Sequence, residues 1–221
     1  ISPEIYCVGK EQTWTFLKDV FTEVAELFPS QWIHIGGDEA RFNRWKQCQH
    51  CQKVIKDEGL ESERQLQGWA TMKLRDFLAT KNKRILGWEE VLDSGVEGDV
   101  GLMVWHKPIK ASKGAKAGHP IVASNVRHTY FDTPESKLPG EPPAATWTAP
   151  VSLERAYNWN PTPAGLNSEE EQLILGPNGC VWSDMFLHKS GILADKPGEG
   201  STRSEAYVDY LSLPRMAALS L

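Results

Sequence analysis

The sequence predicts an α/β fold built on a parallel sheet, and the placement of its polar residues indicates a (β/α) barrel. First, segments with helix-like and strand-like periodicity alternate along the 221 residues. Second, aromatic and acidic residues recur where the predicted strands end. Third, 40% hydrophobic and 24% charged residues are ordinary for a globular protein of a length that encloses one sizeable core. We therefore expect one domain over residues 1–221.

The helices are predicted from apolar residues that recur at steps of three and four, which places them on one helical face. The first helix is expected over residues 11–28, with Trp14, Leu17, Phe21, Val24 and Phe28 on that face. The same period predicts helices over residues 41–58 and 61–80. A last helix is expected from about Ser204 onward.

Short apolar segments between these helices predict five strands. They cover residues 32–35, 84–88, 100–105, 120–125 and 179–182. Two long segments, residues 127–150 and 188–201, are rich in proline or glycine and follow strands. Loops of this length inside a compact domain usually bind ligands or cover a site.

Aromatic and polar residues lie at or just past the carboxyl end of several predicted strands. They are Asp38 and Glu39, Trp88 and Glu89, Trp105 and His106, Tyr130 and Asp132, and Trp182 and Asp184. In a (β/α) barrel the βα loops converge at that face and build the active site. Aromatic faces beside polar groups suit a ligand with apolar faces and many hydroxyls, such as a sugar ring.

The most informative segment is residues 34–40, His-Ile-Gly-Gly-Asp-Glu-Ala. Neighbouring side chains on an extended backbone point to opposite sides, so Asp38 and Glu39 share a pocket only if the strand ends or kinks there. Gly36 and Gly37 permit such a kink. An alternative is a simple turn in which Asp38 caps the following helix. On this segment alone, both interpretations stand.

If the ligand is a glycoside, two adjacent carboxylates fit ordinary hydrolysis poorly. That chemistry normally places two carboxyl groups on either side of the bond, about 5 to 9.5 Å apart. Asp38 and Glu39 share one loop and approach the sugar from one side. Substrate-assisted hydrolysis removes the conflict, because a 2-acetamido oxygen supplies the nucleophile and the enzyme needs one acid and one group that orients the acetamide.

Residues 34–39 match the signature His-x-Gly-Gly-Asp-Glu at every fixed position, and the chain resembles glycoside hydrolase family 20, the β-N-acetylhexosaminidases. The resemblance continues through residues 87–89, 104–105, 130–132, Trp147 and 181–184. It implies an eight-stranded barrel of which this chain holds about strands 4 to 8. It also implies retaining removal of terminal β-linked N-acetylglucosamine or N-acetylgalactosamine through an oxazolinium intermediate.

The resemblance assigns roles to the residues that match. It implies that Glu39 is the general acid and then the base, that Asp38 orients the acetamido nitrogen, and that Tyr130 binds the acetamido oxygen. The implied binding residues are Trp88, Trp105 and Trp182 around the acetamide and ring, Trp147 near the leaving group, and Asp132 and Asp184 at the 4- and 6-hydroxyls. No cofactor and no metal are implied. The family usually has Glu where this chain has Asp184, so we expect a longer or water-mediated hydroxyl contact there.

Charge and hydropathy exclude several partners. A net charge of −5 and a pI near 5.7 argue against nucleic acid. No apolar stretch approaches the roughly 20 residues that span a bilayer. The chain starts at Ile1 without a signal peptide and both ends look cut, so location is open, although the resemblance favours a periplasmic or secreted protein.

An incomplete barrel would expose two unpaired sheet edges, which favour pairing with another chain. We therefore expect a fragment that binds the missing half of the barrel or associates with itself, besides its glycan substrates. The family's sugar-binding arginine lies in the first strand, which this chain lacks. An inactive sugar-binding module is thus an alternative function.

Four cysteines are present, and Cys48 and Cys51 have the C-x-x-C spacing of zinc and redox sites. The pair is compatible with a disulfide, a redox site or ordinary thiols. Cys7 and Cys180 form no second pair of that spacing, so we expect no metal. A metal or redox protein is the third functional alternative.

Overall fold

Helices and strands alternate along the chain, as the sequence predicts. The computed structural model describes residues 5–142, 144–182 and 200–220, with the side chains of 200–205 left aside. The helices are α1 (Glu11–Leu27), α2 (Asn43–Gln47), α3 (Gln49–Asp57), α4 (Glu63–Ala79), α5 (Ile109–Lys116), α6 (Val126–Thr129), α7 (Leu153–Tyr157), α8 (Ser168–Glu171), α9 (Gly200–Ser212) and α10 (Arg215–Leu219). The strands are β1 (Trp32–His34), β2 (Arg84–Trp88), β3 (Gly101–Val104), β4 (Ile121–Ala123) and β5 (Ile174–Pro177).

The five strands form one sheet in sequence order. Strand β1 pairs with β2 in parallel, with His34 opposite Leu86, and β2 pairs with β3 in parallel, with Trp88 opposite Met103. Four residues of β2 are buried, as expected for a parallel strand covered on both faces. The predictions for β1 to β4 are confirmed, with strands shorter by up to three residues.

The predicted fifth strand is wrong in position. Residues 174–177 form β5, whereas in residues 179–182 only Cys180 makes an isolated parallel bridge, with Tyr130. Pro177 ends the strand because proline has no N–H to donate to the ladder. Pairing resumes briefly at Cys180.

Two helix predictions are also corrected. The helix predicted over residues 41–58 is broken at Cys48, whose extended backbone (φ −85°, ψ 112°) ends α2 and begins α3. The final helix is divided into α9 and α10 at Pro214, because proline cannot donate the next helical hydrogen bond. The loop predicted over residues 127–150 is wrong at its start, because Asn125 caps the short helix α6, which extends to Thr129; the described part of residues 130–150 holds no helix or strand. Most of residues 188–201 lies outside the described part of the chain.

The chain divides into two compact units. The first comprises Ile1–Met103, Ile109–Ile121 and Gly165–Leu173, and the second comprises Val104–Pro108, Val122–Ala164 and Ile174–Leu221. One core of the first unit is formed by Val8, Trp14, Trp45, Cys51, Leu66 and Ala70. In the second unit, Phe131, Val151 and Ala156 form a core cluster. No helix within the described residues is long and apolar enough to cross a membrane.

Candidate active site

The acid pair follows β1 in a sharply kinked loop of the first unit. Gly36 and Gly37 have φ values of 76° and 102°, which glycine adopts readily. Glu39 also has a positive φ, 44°, which costs a non-glycine residue about 1 to 3 kcal/mol unless its surroundings fix it. The kink predicted from the glycine pair is therefore confirmed, and both carboxylate side chains are exposed.

Backbone hydrogen bonds hold this loop, residues 35–39 (hereafter the acid loop), against the end of β2. The Ile35 N–H donates to the Leu86 carbonyl oxygen at 2.8 Å, and the Trp88 N–H donates to the Gly36 oxygen at 2.9 Å. The parallel pairing thus runs on past His34 to the first glycine. The bend in the chain therefore begins where the hydrogen bonding to β2 ends.

A buried glutamine on α4 holds the centre of the acid loop. The Gln67 side chain is 6% exposed, and its Nε2 donates to the Gly37 carbonyl oxygen at 2.8 Å. This residue was missed by sequence reasoning, because a glutamine inside an amphipathic helix looks like a surface residue. Its position among the buried residues of α4 was the only available signal.

Close packing forbids a side chain at the second glycine. A Cβ atom at Gly37 would lie 2.6 Å from Cγ1 of Val91, a fully buried residue of the 3-10 helix Glu89–Ser94. A Cβ at Gly87 would lie 3.3 Å from the Gly36 oxygen. The acid loop therefore rests directly on the backbone of β2 and the turn after it.

His34 supports the first glycine of the acid loop through a hydrogen bond. Its Nδ1 accepts a hydrogen bond from the Gly36 N–H at 3.0 Å, which requires Nδ1 to be unprotonated. The ring lies edge-on to Trp88, with centroids 5.0 Å apart. Loss of hydration lowers the pKa of His34, and the nearby Asp38 charge opposes this only in part. Trp88 is itself 9% exposed.

In the second unit, Tyr130 lies among three tryptophans. Its ring stacks on Trp105 with centroids 6.2 Å apart, meets Trp147 edge-on at 5.8 Å, and lies 6.1 Å from Trp182 at an angle of 55°. Tyr130 is 4% exposed, whereas Trp147 and Trp182 are 54% and 42% exposed. Four residues predicted to bind the sugar thus form one aromatic cluster with an exposed side.

The backbone beside this cluster is tied to the segment that carries Trp182. The Phe131 N–H donates to the Cys180 oxygen at 2.7 Å, and the Cys180 N–H donates to the Thr129 oxygen at 2.8 Å. Asp132 follows and is 1% exposed. Burial, reinforced by the Asp132 charge, raises the pKa of Tyr207 to about 12.

Arg215 of α10 fixes the same backbone from the interior. Its guanidinium is fully buried and donates to the carbonyl oxygens of Phe131 at 2.8 Å, Thr133 at 3.0 Å and Val151 at 2.8 Å. Burial lowers the pKa of Arg215, which the charges of nearby acids offset only in part. Sequence reasoning missed this residue, because an arginine in a terminal amphipathic helix is normally solvated.

Glu141 organises the long loop that follows. Its carboxylate accepts hydrogen bonds from the Glu135 N–H at 2.7 Å, the Ser136 hydroxyl at 2.8 Å and the Tyr210 hydroxyl at 2.9 Å. Partial burial acts to raise the pKa of Glu141, but these donors outweigh it and the pKa is lowered. The predicted site residue Asp184 lies outside the described residues.

The cysteines form a cluster that the sequence did not predict. Cys7 joins Cys48 and Cys51, with its Sγ 3.3 Å from Cys48 Sγ and 3.6 Å from Cys51 Sγ. Burial raises the pKa of Cys51 to about 12. Burial acts in the same direction on Cys48, but the backbone amides of Cys51 and His50 and the neighbouring thiols lower its pKa overall.

Comparison with known proteins gives a consistent result. The family model described as "Glycosyl hydrolase family 20, catalytic domain" matches residues 1–194. The β-hexosaminidase of Porphyromonas gingivalis is 32% identical over 221 residues, which is 100% of this chain and 26% of that protein. The β-hexosaminidase of Vibrio furnissii is 29% identical over 94% of this chain and 32% of that protein.

Solved structures agree in fold. The exo-β-N-acetylglucosaminidase of Vibrio harveyi, determined in complex with N-acetylglucosamine, matches with a TM-score of 0.76 and 28% identity over 96% of this chain and 31% of that one. The β-N-acetylhexosaminidase of Bacteroides fragilis matches with a TM-score of 0.75 and 28% identity over 97% and 40%. The chain spans about a quarter to a third of the length of the curated relatives it matches.

Proposed function

Since the chain belongs to glycosyl hydrolase family 20, we propose that it supplies the acid pair of an enzyme that removes terminal β-linked N-acetylglucosamine or N-acetylgalactosamine with retention of configuration. The kinked acid loop is the observation that carries this proposal. The backbone of this loop is bent instead of extended, and its two neighbouring carboxylates are both exposed just after the end of a parallel strand. The names of the relatives, β-hexosaminidases, support the proposed substrate class.

The proposed reaction uses the substrate's own acetamide as the nucleophile. Asp38 accepts a hydrogen bond from the acetamido N–H and orients the carbonyl oxygen toward the anomeric carbon. Glu39 donates a proton to the leaving glycosidic oxygen as the acetamido oxygen forms its bond to that carbon. The resulting oxazolinium ion carries positive charge, which Asp38 stabilises. Water then attacks the anomeric carbon and breaks its bond to the acetamido oxygen, which restores the acetamide, while Glu39 accepts the proton of the water; the two inversions give net retention.

The aromatic cluster has a complementary role in this proposal. The Tyr130 hydroxyl donates to the acetamido oxygen, and indole faces contact the acetamido methyl and the sugar ring. The tryptophans assigned to these contacts are Trp88, Trp105 and Trp182, with Trp147 near the leaving group. Asp132 and Asp184 are assigned to the 4- and 6-hydroxyls.

The test uses the full-length protein that contains this chain and aryl glycosides as substrates. Wild-type protein should hydrolyse the aryl N-acetyl-β-glucosaminide and leave the matching β-glucoside intact, because the glucoside lacks the acetamide. Asp38→Asn should lower kcat for the N-acetyl substrate by about 100-fold or more. Glu39→Gln should lower kcat/KM, which reports cleavage of the glycosidic bond, by a similar factor for a poor leaving group such as a phenol of high pKa, but much less for 2,4-dinitrophenolate, which leaves without protonation.

Equal turnover of the glucoside would rule out acetamide participation. A loss of kcat/KM in Glu39→Gln that does not depend on the leaving group would contradict the acid role. A well-folded wild-type protein that binds N-acetylglucosamine-thiazoline without hydrolysing either substrate would favour the sugar-binding alternative.

A further inference from the structure

The sulfur atoms of Cys7, Cys48 and Cys51 meet at the break between α2 and α3. Cys7 Sγ lies 3.3 Å and 3.6 Å from the other two, and all three atoms lie within 4.8 Å of one another. Thiolates around tetrahedral zinc, with Zn–S bonds of about 2.3 Å, are about 3.8 Å apart. The three sulfurs therefore already have the spacing of one face of a zinc tetrahedron.

Direct backbone packing brings Cys7 to this position. A Cβ atom at Gly9 would lie 2.3 Å from the carbonyl carbon and oxygen of His50 and 2.7 Å from the nitrogen of Cys51. Only glycine fits at this crossing. The segment of residues 5–10 thus lies against the first turn of α3, the turn that carries the C-x-x-C pair.

The backbone around Cys7 is fixed on both sides. The Trp45 indole N–H donates to the Tyr6 oxygen at 2.8 Å, and the Trp14 indole N–H donates to the Val8 oxygen at 2.8 Å. Thr13 donates its hydroxyl hydrogen to the Cys7 oxygen, also at 2.8 Å. The position of this thiol is therefore set by the protein before any ligand binds.

The three cysteines lie against the apolar core on one side and are accessible to solvent on the other. Cys51 is fully buried in the core cluster with Trp14, Trp45 and Leu66. Cys7 and Cys48 are half-buried. This arrangement protects three sulfur ligands and leaves one direction accessible to a small exogenous ligand.

We propose that Cys7, Cys48 and Cys51 bind one zinc ion as three thiolates, with water or chloride as the fourth ligand. Each thiol releases its proton on binding, so the metal forms three Zn–S bonds without a change of oxidation state. Soft thiolate ligands favour zinc over magnesium or calcium. A disulfide would join two of the sulfurs at about 2.05 Å, which is shorter than either separation here, and would leave the third without a role.

Zinc binding would connect two segments that are far apart in the sequence. The metal would tie the segment that precedes α1 to the helices that directly follow the acid loop. This inference stands independently of the proposed hydrolysis, because it rests on the cysteine cluster alone. It assigns the metal a structural role in the first unit.

The experiment measures metal content in the full-length protein, purified without chelators from zinc-supplemented cells. We expect about one zinc per chain by elemental analysis. Titration with an organomercurial should release this zinc as three thiols are blocked. Cobalt substitution should give a sulfur-to-cobalt charge-transfer band and the intense visible bands of a tetrahedral site.

Cys7→Ser, Cys48→Ser and Cys51→Ser should each lose stoichiometric zinc. Cys180→Ser is the matched control, because Cys180 is a buried cysteine of the second unit that contacts the Ser124 hydroxyl at 3.2 Å instead of the cluster. It should retain the metal. If one of the three cysteine variants fails to fold, the organomercurial titration and the cobalt spectrum of the wild-type protein still test the proposal.

Two results would overturn the proposal. Metal-free protein with all three thiols alkylated under native conditions would show an ordinary thiol cluster. An intact mass lower by two hydrogens, with two of the three cysteines linked in a non-reduced peptide map, would show a disulfide instead.

Discussion

The side-chain amide of Gln67 and the carbonyl oxygen of Gly37 are joined by a 2.8 Å hydrogen bond that fixes the loop bearing both candidate carboxylates. Gln67 is buried and lies about one helical turn from the start of α4. A buried donor of this kind orients its acceptor strictly. We regard Gln67 as a positioning residue for the acid loop.

Gln67→Glu should weaken this support, because an ionised carboxylate cannot donate to the Gly37 oxygen. We expect about 1 to 3 kcal/mol of lost stability, measured by chemical denaturation. The KM for an aryl N-acetylglucosaminide should change less than kcat. Gln172→Glu changes an exposed glutamine in the same way and should alter neither quantity. Equal changes in stability and kcat for the two substitutions would contradict the positioning role of Gln67.

Gly37→Ala tests the packing of the acid loop on the 3-10 helix. The new methyl would lie 2.6 Å from Val91 Cγ1 at a φ of 102°, so strain and overlap add, and we expect a loss of about 3 kcal/mol. Gly59→Ala is the control, since Gly59 has a φ of 65° with nothing within 4 Å of its Cβ position. It should lose only about 1 kcal/mol, from backbone strain. Similar melting temperatures for both variants would contradict the predicted overlap.

Tyr130→Phe deletes the hydroxyl and keeps the ring, so it tests the contribution of the hydroxyl alone. The ring contacts with Trp105, Trp147 and Trp182 should persist in this variant. If the hydroxyl stabilises the acetamido oxygen, kcat should fall by about 100-fold. Tyr157→Phe, at an exposed tyrosine, should keep full activity. An unchanged kcat in Tyr130→Phe would show that the hydroxyl does not take part in the reaction.

Arg215→Met should destabilise the second unit by about 3 kcal/mol or more, because it leaves the carbonyl oxygens of Phe131, Thr133 and Val151 without their charged donor. The expected readouts are a lower denaturation midpoint and weaker near-ultraviolet circular dichroism from the aromatic cluster. Arg155→Met alters an exposed arginine of the same unit and serves as the comparison. Denaturation curves that coincide for the two variants would contradict the role of the buried guanidinium.

Glu141 predicts a dependence of stability on pH. Its pKa is lower in the folded protein than the ordinary value of 4.5, so the ionised form is favoured by folding. The stabilising contribution is therefore fully present above pH 4.5 and disappears as the pH falls through the folded-state pKa. Melting curves of wild type and Glu141→Gln should differ at pH 6 and converge in acid, whereas Glu23→Gln, at an exposed glutamate, should follow wild type throughout. A constant difference across this range would contradict the prediction.

The sequence predicts local features of this fold well and long-range ones poorly. Strands β1 to β4, helices α1 and α4, and the kink at Gly36 and Gly37 follow from periodicity and glycine placement over a few residues. Membership of the family was also visible, in residues 34–39. The fifth strand begins five residues before its predicted position, at Ile174 instead of Gly179.

The residues that sequence reasoning missed act over long separations. The donor and acceptor are 30 residues apart for Gln67 and Gly37, and 84 residues apart for Arg215 and Phe131. Cys7 lies 41 residues from Cys48. Periodicity contains no information on such pairs, so a buried polar residue looks like a surface one until the fold is known.

The arrangement of rings around Tyr130 also has a spectroscopic consequence. With three indoles about 6 Å from its ring, excitation absorbed by Tyr130 passes to tryptophan before it can be emitted. Trp147 and Trp182 are substantially exposed, so a sugar that stacks on them as proposed would displace solvent from emitting indoles. We therefore expect the fluorescence emission to shift when the proposed site is occupied, which would allow titrations without a labelled ligand.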